Sequence, residues 1–144
     1  MTKKGPTMPV DGLLTWSSAL NASLTLGRLK SAIGAAGLAI FAHVDHAAAA
    51  QAVGLDLPPL DVVLFGNPKA GTPLMAASPT LGIDLPLKAL VWQDEAGAVF
   101  LSFNALEWLA ARHHLPDGFA KSRDAMSSLQ SALARKATSR STGD

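Results

Sequence analysis

The chain has 144 residues, 49% of them hydrophobic and 16% charged, enough for one hydrophobic core but not two, and too apolar for a disordered polymer. It contains no cysteine, which excludes a disulfide framework, a thiolate metal site and a cysteine nucleophile. The net charge is +1, with six basic and eight acidic residues in 1–111 and six basic and three acidic in 112–144; so small a surplus, not interleaved with aromatic residues, argues against a nucleic-acid partner.

Residues 1–11 show no periodicity and are expected to be disordered or extended. They start with the positive charge of an export signal, but Asp11, Asn21 and several hydroxyl residues intervene before any apolar run develops. Residues 12–19 alternate imperfectly around Leu13, Leu14 and Trp16 and read as a first strand. Ser23 or Thr25 can then cap a helix on which Leu26, Leu29, Ile33 and Ala36 recur at helical spacing, with Gly37 where a left-handed C-terminal residue belongs.

Residues 38–44 read as a core strand, and Asp45 stands at the N-cap of a short helix that Gly54 ends. Pro58 and Pro59 break the chain before a strand over 60–65. The segment Gly66-Asn-Pro-Lys-Ala-Gly71 reads as a turn-rich loop, and 72–77 as little more than one helical turn. Residues 87–93 and 98–103 form the strongest hairpin signal, joined by Asp94-Glu-Ala-Gly97. A helix begins near Leu106 and stops near 113–116. Met126, Leu129 and Leu133 make an apolar stripe on a last helix over about 122–136, and 137–144 read as a disordered tail. The longest strongly apolar uncharged stretch, 31–44, is too short to span a bilayer, so a cytoplasmic protein with no membrane partner is expected.

Four segments occur in order: His43-Val-Asp-His46, Leu64-Phe-Gly-Asn-Pro68, Gly71-Thr-Pro-Leu-Met75, and Ile83-Asp-Leu-Pro-Leu87 leading into Val91-Trp92. Together they resemble the domain-of-unknown-function 302 family over about 13–116. The resemblance implies an α+β fold of the TATA-binding-protein-like kind, with a helix after the first strand, then an antiparallel sheet, and often a homodimer. It supplies no catalytic residues and leaves the helix from Ser122 onward as this chain's own addition. The expected architecture is one α+β domain over 12–116, a mainly antiparallel sheet in a β-α-β4-α arrangement with short inserted helices, and an extra C-terminal helix over 117–136.

His43, Asp45 and His46 stand at a strand-to-helix junction. Imidazole with carboxylate suits zinc, iron or manganese, or acid–base chemistry; the competing account is that Asp45 caps the helix and His46 occupies its first turn. No residue is assigned as a metal ligand and no cofactor is named. His113 and His114 belong near a helix C-terminus for dipole reasons, and join a site only if the fold brings them near. Gly66 and Gly71 have the separation of a phosphate-binding loop, but Thr72 stands where that loop needs lysine. Asp84 either presents a carboxylate at a pocket or receives backbone hydrogen bonds. The tryptophans read as core or dimer-contact residues, and no Gly-x-Ser-x-Gly turn supports a serine hydrolase.

The function expected is a small-ligand-binding or accessory domain, homodimeric, with a cavity lined by His43, Asp45, His46, Asn67 and Asp84. The alternative is an enzyme using the His/Asp group as acid and base, with or without a metal.

Overall fold

Alternation along the strands divides the sheet into two faces. In the strand Leu60–Gly66 (β3), Asp61, Val63 and Phe65 are buried while Val62 and Leu64 are only partly covered. Leu87, Ala89 and Val91 of Leu87–Gln93 (β4) obey the same rule. The computed structural model describes residues 9–140. Strands Leu13–Ser18 (β1), Ala39–Asp45 (β2) and Val99–Asn104 (β5) complete a five-stranded sheet in the order β1-β5-β4-β3-β2, antiparallel at every pairing. The chain forms a single α+β domain.

One face carries Val63, Phe65, Ala89, Val91, Leu101 and Phe103 into a core shared with helix Ala22–Ala35 (α1), through Leu29 and Ile33, and helix Ala120–Thr138 (α5), through Leu133, Ala134 and Ala137. Full burial of Leu29 and Ile33 contributes roughly 1.5–3 kcal/mol each. Trp16 meets the ring of Phe103 edge-on at 5.7 Å. The opposite face stays outside that core, and its middle is closed by its own side chains: Trp92 lies 4.6 Å from Phe100 and donates to Ser102 Oγ, which also bonds Thr15.

The order of elements matches the sequence expectation, with four local differences. The strand expected in the core over 38–44 is the exposed strand β2 at the edge of the sheet. Asn21, not Ser23 or Thr25, caps α1: its side chain accepts the Leu24 N–H at 2.8 Å, while the Thr25 hydroxyl turns back to Asn21 O and Ser18. The loop expected at 66–71 belongs to a ten-residue helix, Pro68–Ala77 (α3), with Asn67 as its cap and Pro68 in its first turn, where the missing N–H costs nothing. Pro73 lies inside this helix without ending it. Helix α5 extends past the expected limit at 136, because Ala137 and Thr138 are buried and the Thr138 carbonyl accepts the Ala19 N–H at 2.9 Å. The tail expected at 137–144 is therefore helical at its start; 141–144 lie outside the described residues, as do 1–8 of the N-terminal segment.

Short helices His46–Ala52 (α2) and Leu106–Arg112 (α4) and 3-10 turns at Pro79–Ile83 and Asp117–Phe119 complete the chain. Among the described residues, no helix is long and apolar enough to cross a membrane.

Gly12 has φ +75° and a Cβ there would fall within 2.7 Å of three ring atoms of Trp108, whereas Gly97 has φ +88° with open space around it. Gly97→Ala should cost the left-handed backbone penalty alone, about 1–2 kcal/mol. Gly12→Ala should cost about 1–3 kcal/mol more because the ring must move. Denaturant unfolding of the two variants measures the gap, and equal costs would refute the close packing of Trp108.

Candidate functional site

β2 and β3 pair with Asp45 opposite Asp61 and His43 opposite Val63, so His43 and Asp61 are diagonal neighbours on one face. His43 Nε2 lies 2.8 Å from Asp61 Oδ1, and Lys30 Nζ on α1 lies 2.9 Å from His43 Nδ1. An ammonium only donates, so Nδ1 accepts and Nε2 donates to the carboxylate. His43 thus bridges α1 and β3. Asp45 caps α2, accepting the Ala48 N–H at 2.8 Å, and His46 stands exposed in the first turn. Asn67 caps α3 through the Lys69 N–H at 3.0 Å.

Asp84 meets a different histidine. The chain from Pro79 to Asp84 runs beside the end of α4, where His113 Nε2 donates to Asp84 Oδ2, and Arg112 Nη1 reaches the same oxygen at 2.8 Å. The other imidazole nitrogen, Nδ1, lies 2.9 Å from Thr80 Oγ1. His113 is almost wholly buried. Burial pushes the Asp84 carboxyl up, but the His113 hydrogen bond and the Arg112 charge outweigh it and hold the group below its ordinary value. No sequence signal points to this pairing, since 29 residues separate the two.

Two hollows lie near these groups. A cleft of about 180 Å³ opens between α3, β2 and the start of β4, walled by Phe41, Pro68, Met75, Leu85, Leu87 and Met126, with Asn67 and Thr72 as polar members. It is smaller than most sites for drug-sized ligands but shares their apolar character. A second hollow, of about 310 Å³, lies beside α2 and is lined by Asp45, Asp56, Asp61 and Gln51.

The five residues expected to share a cavity are dispersed. Asn67 lines the apolar cleft and Asp45 the acidic hollow, which His43 approaches through Asp61. His46 lines neither. Asp84 precedes the cleft residues Leu85 and Pro86, yet its carboxylate is bound to His113 and Arg112. Capping and pairing explain the dispersal: Asp45 and Asn67 cap α2 and α3, His43 bridges α1 and β3, and Asp84 is bound by His113 and Arg112. Among the described residues, no group of three or more His, Asp or Glu side chains is placed to hold a metal ion.

Residues 14–135 match the family described as Domain of unknown function DUF302. The match takes in most of α5, so that helix is part of the family pattern and not an addition peculiar to this chain. The chain is 43% identical over 105 residues to a protein named fluoride-specific ion channel FluC 1 of Brucella suis, covering 73% of this chain and 41% of that protein. It is likewise 43% identical over 105 residues to FluC 1 of Brucella abortus, covering 39% of it. The chain therefore spans about two-fifths of the length of the curated relatives it matches. The crystal structure of an uncharacterized conserved DUF302 protein from Bacillus stearothermophilus superimposes with a TM-score of 0.78, covering 89% of this chain and 99% of that one at 16% identity, so the fold is shared.

A carboxyl held below its ordinary value near 3.8 stabilises the fold above that value and stops doing so as pH falls through the lowered one. Asp84→Asn should cost about 1–3 kcal/mol at neutral pH, the scale of hydrogen bonds to a charged group. The gap from the parent protein should close in acid. Unfolding midpoints across a pH series test this; a gap that persists below the carboxylate range would contradict it.

Proposed function

The chain belongs to the Domain of unknown function DUF302 family, and on that premise we propose that it is an accessory domain, homodimeric and cytoplasmic, that binds a small apolar ligand in the cleft between α3, β2 and β4. The observation that carries this reading is the composition of the cleft. Seven apolar side chains line it, two of them methionines that adapt to irregular shapes, and only Asn67 and Thr72 offer polar side chains to orient a guest. None of its lining residues forms a nucleophile–base pair, so the site favours holding a molecule over transforming it. The role of accessory domain draws support from the Brucella proteins, in which the matched stretch is a minor part of a longer polypeptide named as a fluoride-specific ion channel. Neither nucleic acid nor membrane belongs among the partners proposed.

One arrangement favours an enzyme instead. Thr80 Oγ1, the His113 ring and Asp84 Oδ2 form a hydroxyl–imidazole–carboxylate chain with Thr80 exposed, the order used to activate a nucleophile. None of the three lines the cleft, and the same bonds join the 3-10 turn to α4, which accounts for them structurally.

Gly71 lies in α3 on the cleft wall, with Leu85 and Met75 at ordinary contact distance from a Cβ placed there. Gly71→Leu should fill the cleft and, by removing a helical glycine, preserve or raise stability by up to about 1 kcal/mol. Benzene- to naphthalene-sized probes followed by ligand-observed NMR should bind the parent protein and lose at least tenfold in affinity for the variant. Absence of binding by the parent, or binding unchanged in the variant, would overturn the proposal.

A further inference from the structure

Residues 39–59 form a strand, a helix and a loop, yet none of them is buried; all are exposed except the partly covered Ala47 and Ala50. Among the described residues, eleven large apolar side chains stand exposed, and six belong to this segment: Ile40, Phe41, Val44, Val53, Leu55 and Leu57. Ordered structure with an apolar surface and no buried side chain of its own is the pattern of a surface completed by a partner.

Among the described residues β2 is an edge strand, bonded to β3 alone, so its outer backbone groups form an open template. Edges are normally blunted by lysine, proline or a bulge. β2, reading Ala-Ile-Phe-Ala-His-Val-Asp, has neither lysine nor proline, only an irregularity between Ile40 and Ala42. The opposite edge differs: β1 is partly buried along most of its length and its end is tied to α5 through Ala19 and Thr138.

We infer that β2 pairs antiparallel with β2 of a second copy, joining two five-stranded sheets into one of ten. This rests on the homodimer reading above and names its surface. Self-pairing about Ala42 keeps Asp45, the one acidic residue of β2, at the far end from the partner's Asp45. Like charges do not meet, as a symmetric pair requires. Weighted by their exposures of 41–73% and taking a large apolar residue as roughly 160 Å², the six side chains amount to on the order of 500 Å² of exposed apolar surface per copy; a specific interface, about 1,000 Å² per pair at its lower bound, requires that all six be covered. An isologous contact also consumes both open edges and leaves none for further growth.

The test uses the full chain. Light scattering and sedimentation measure association of the parent protein and of an Ile40→Lys/Val44→Lys variant, whose altered side chains are both exposed, with melting temperature as the folding control. Because the chain has no cysteine, Ala42→Cys introduces a single thiol that self-pairing would place within disulfide range of its twin, and Ala48→Cys on α2 serves as the control. The inference expects a parent dimer, at least tenfold weaker association of the lysine variant without loss of folding, and oxidative cross-linking of Ala42→Cys much faster than of Ala48→Cys. A monomeric parent would refute the homodimer together with this pairing. A parent dimer unaffected by the lysines, with Ala42→Cys no faster to cross-link than the control, would leave the homodimer standing and refute the β2 surface.

Discussion

The packing of two helices on one side of a five-stranded sheet governs the rest of this molecule. Five strands about 4.8 Å apart make a surface roughly 24 Å wide, while two packed helices about 10 Å across cover roughly 20 Å of it. Helix α5 lies against β1 and β5, and α1 against β5, β4 and β2, yet no residue of β2 is buried by it. Leu29, Ile33, Leu133 and Ala134 therefore close over the middle of the sheet and leave its last strand uncovered. The exposure of β2, the opening of the cleft along its inner edge and the position of the acidic hollow beside it all stem from that shortfall in width.

The polar groups that the sequence brings to notice are mostly spent on holding the parts of this arrangement together. His43 links α1 to β3 where helix cover ends. His113 and Arg112 fasten the chain before β4 to the end of α4. On the uncovered face, Ser102 receives Trp92 and bonds Thr15, so a buried hydroxyl is satisfied without a second helical layer. These groups leave unoccupied the apolar surface of the cleft and of residues 39–59.

The fold is largely legible in the sequence because its signals are local. Apolar alternation marks β3 and β4, the connection over 94–97 marks the hairpin, and Gly37, with φ +76°, ends the helical segment where its position implies. Helix α3 is not legible in the same way, because Asn-Pro with a glycine soon after is both a turn signature and a cap with proline in the first helical turn, and only tertiary packing of Leu74 decides between them. The last turn of α5 depends on a bond to Ala19 more than a hundred residues away. Of the five residues the sequence singles out, Asn67 alone lines the apolar cleft. The Asp84–His113 pair needs the fold to bring two distant segments together, and the His43–Asp61 pair needs the β2–β3 register, so neither is written in spacing. The fold is shared with the Bacillus stearothermophilus protein at 16% identity, so the architecture persists while most individual side chains differ.

Phe41 belongs to both surfaces at once, since it lies at the irregular point of β2 and forms part of the cleft wall. A guest that changes the free energy of one orientation of that ring alters the surface the edge strand offers, and a neighbour fixing the ring alters the wall the guest meets. Thermodynamic linkage makes the two effects equal in size. On the proposed uses of these two surfaces, occupancy of the cleft and pairing of the sheet edge are linked through Phe41, and an affinity for either is to be measured at a stated protein concentration.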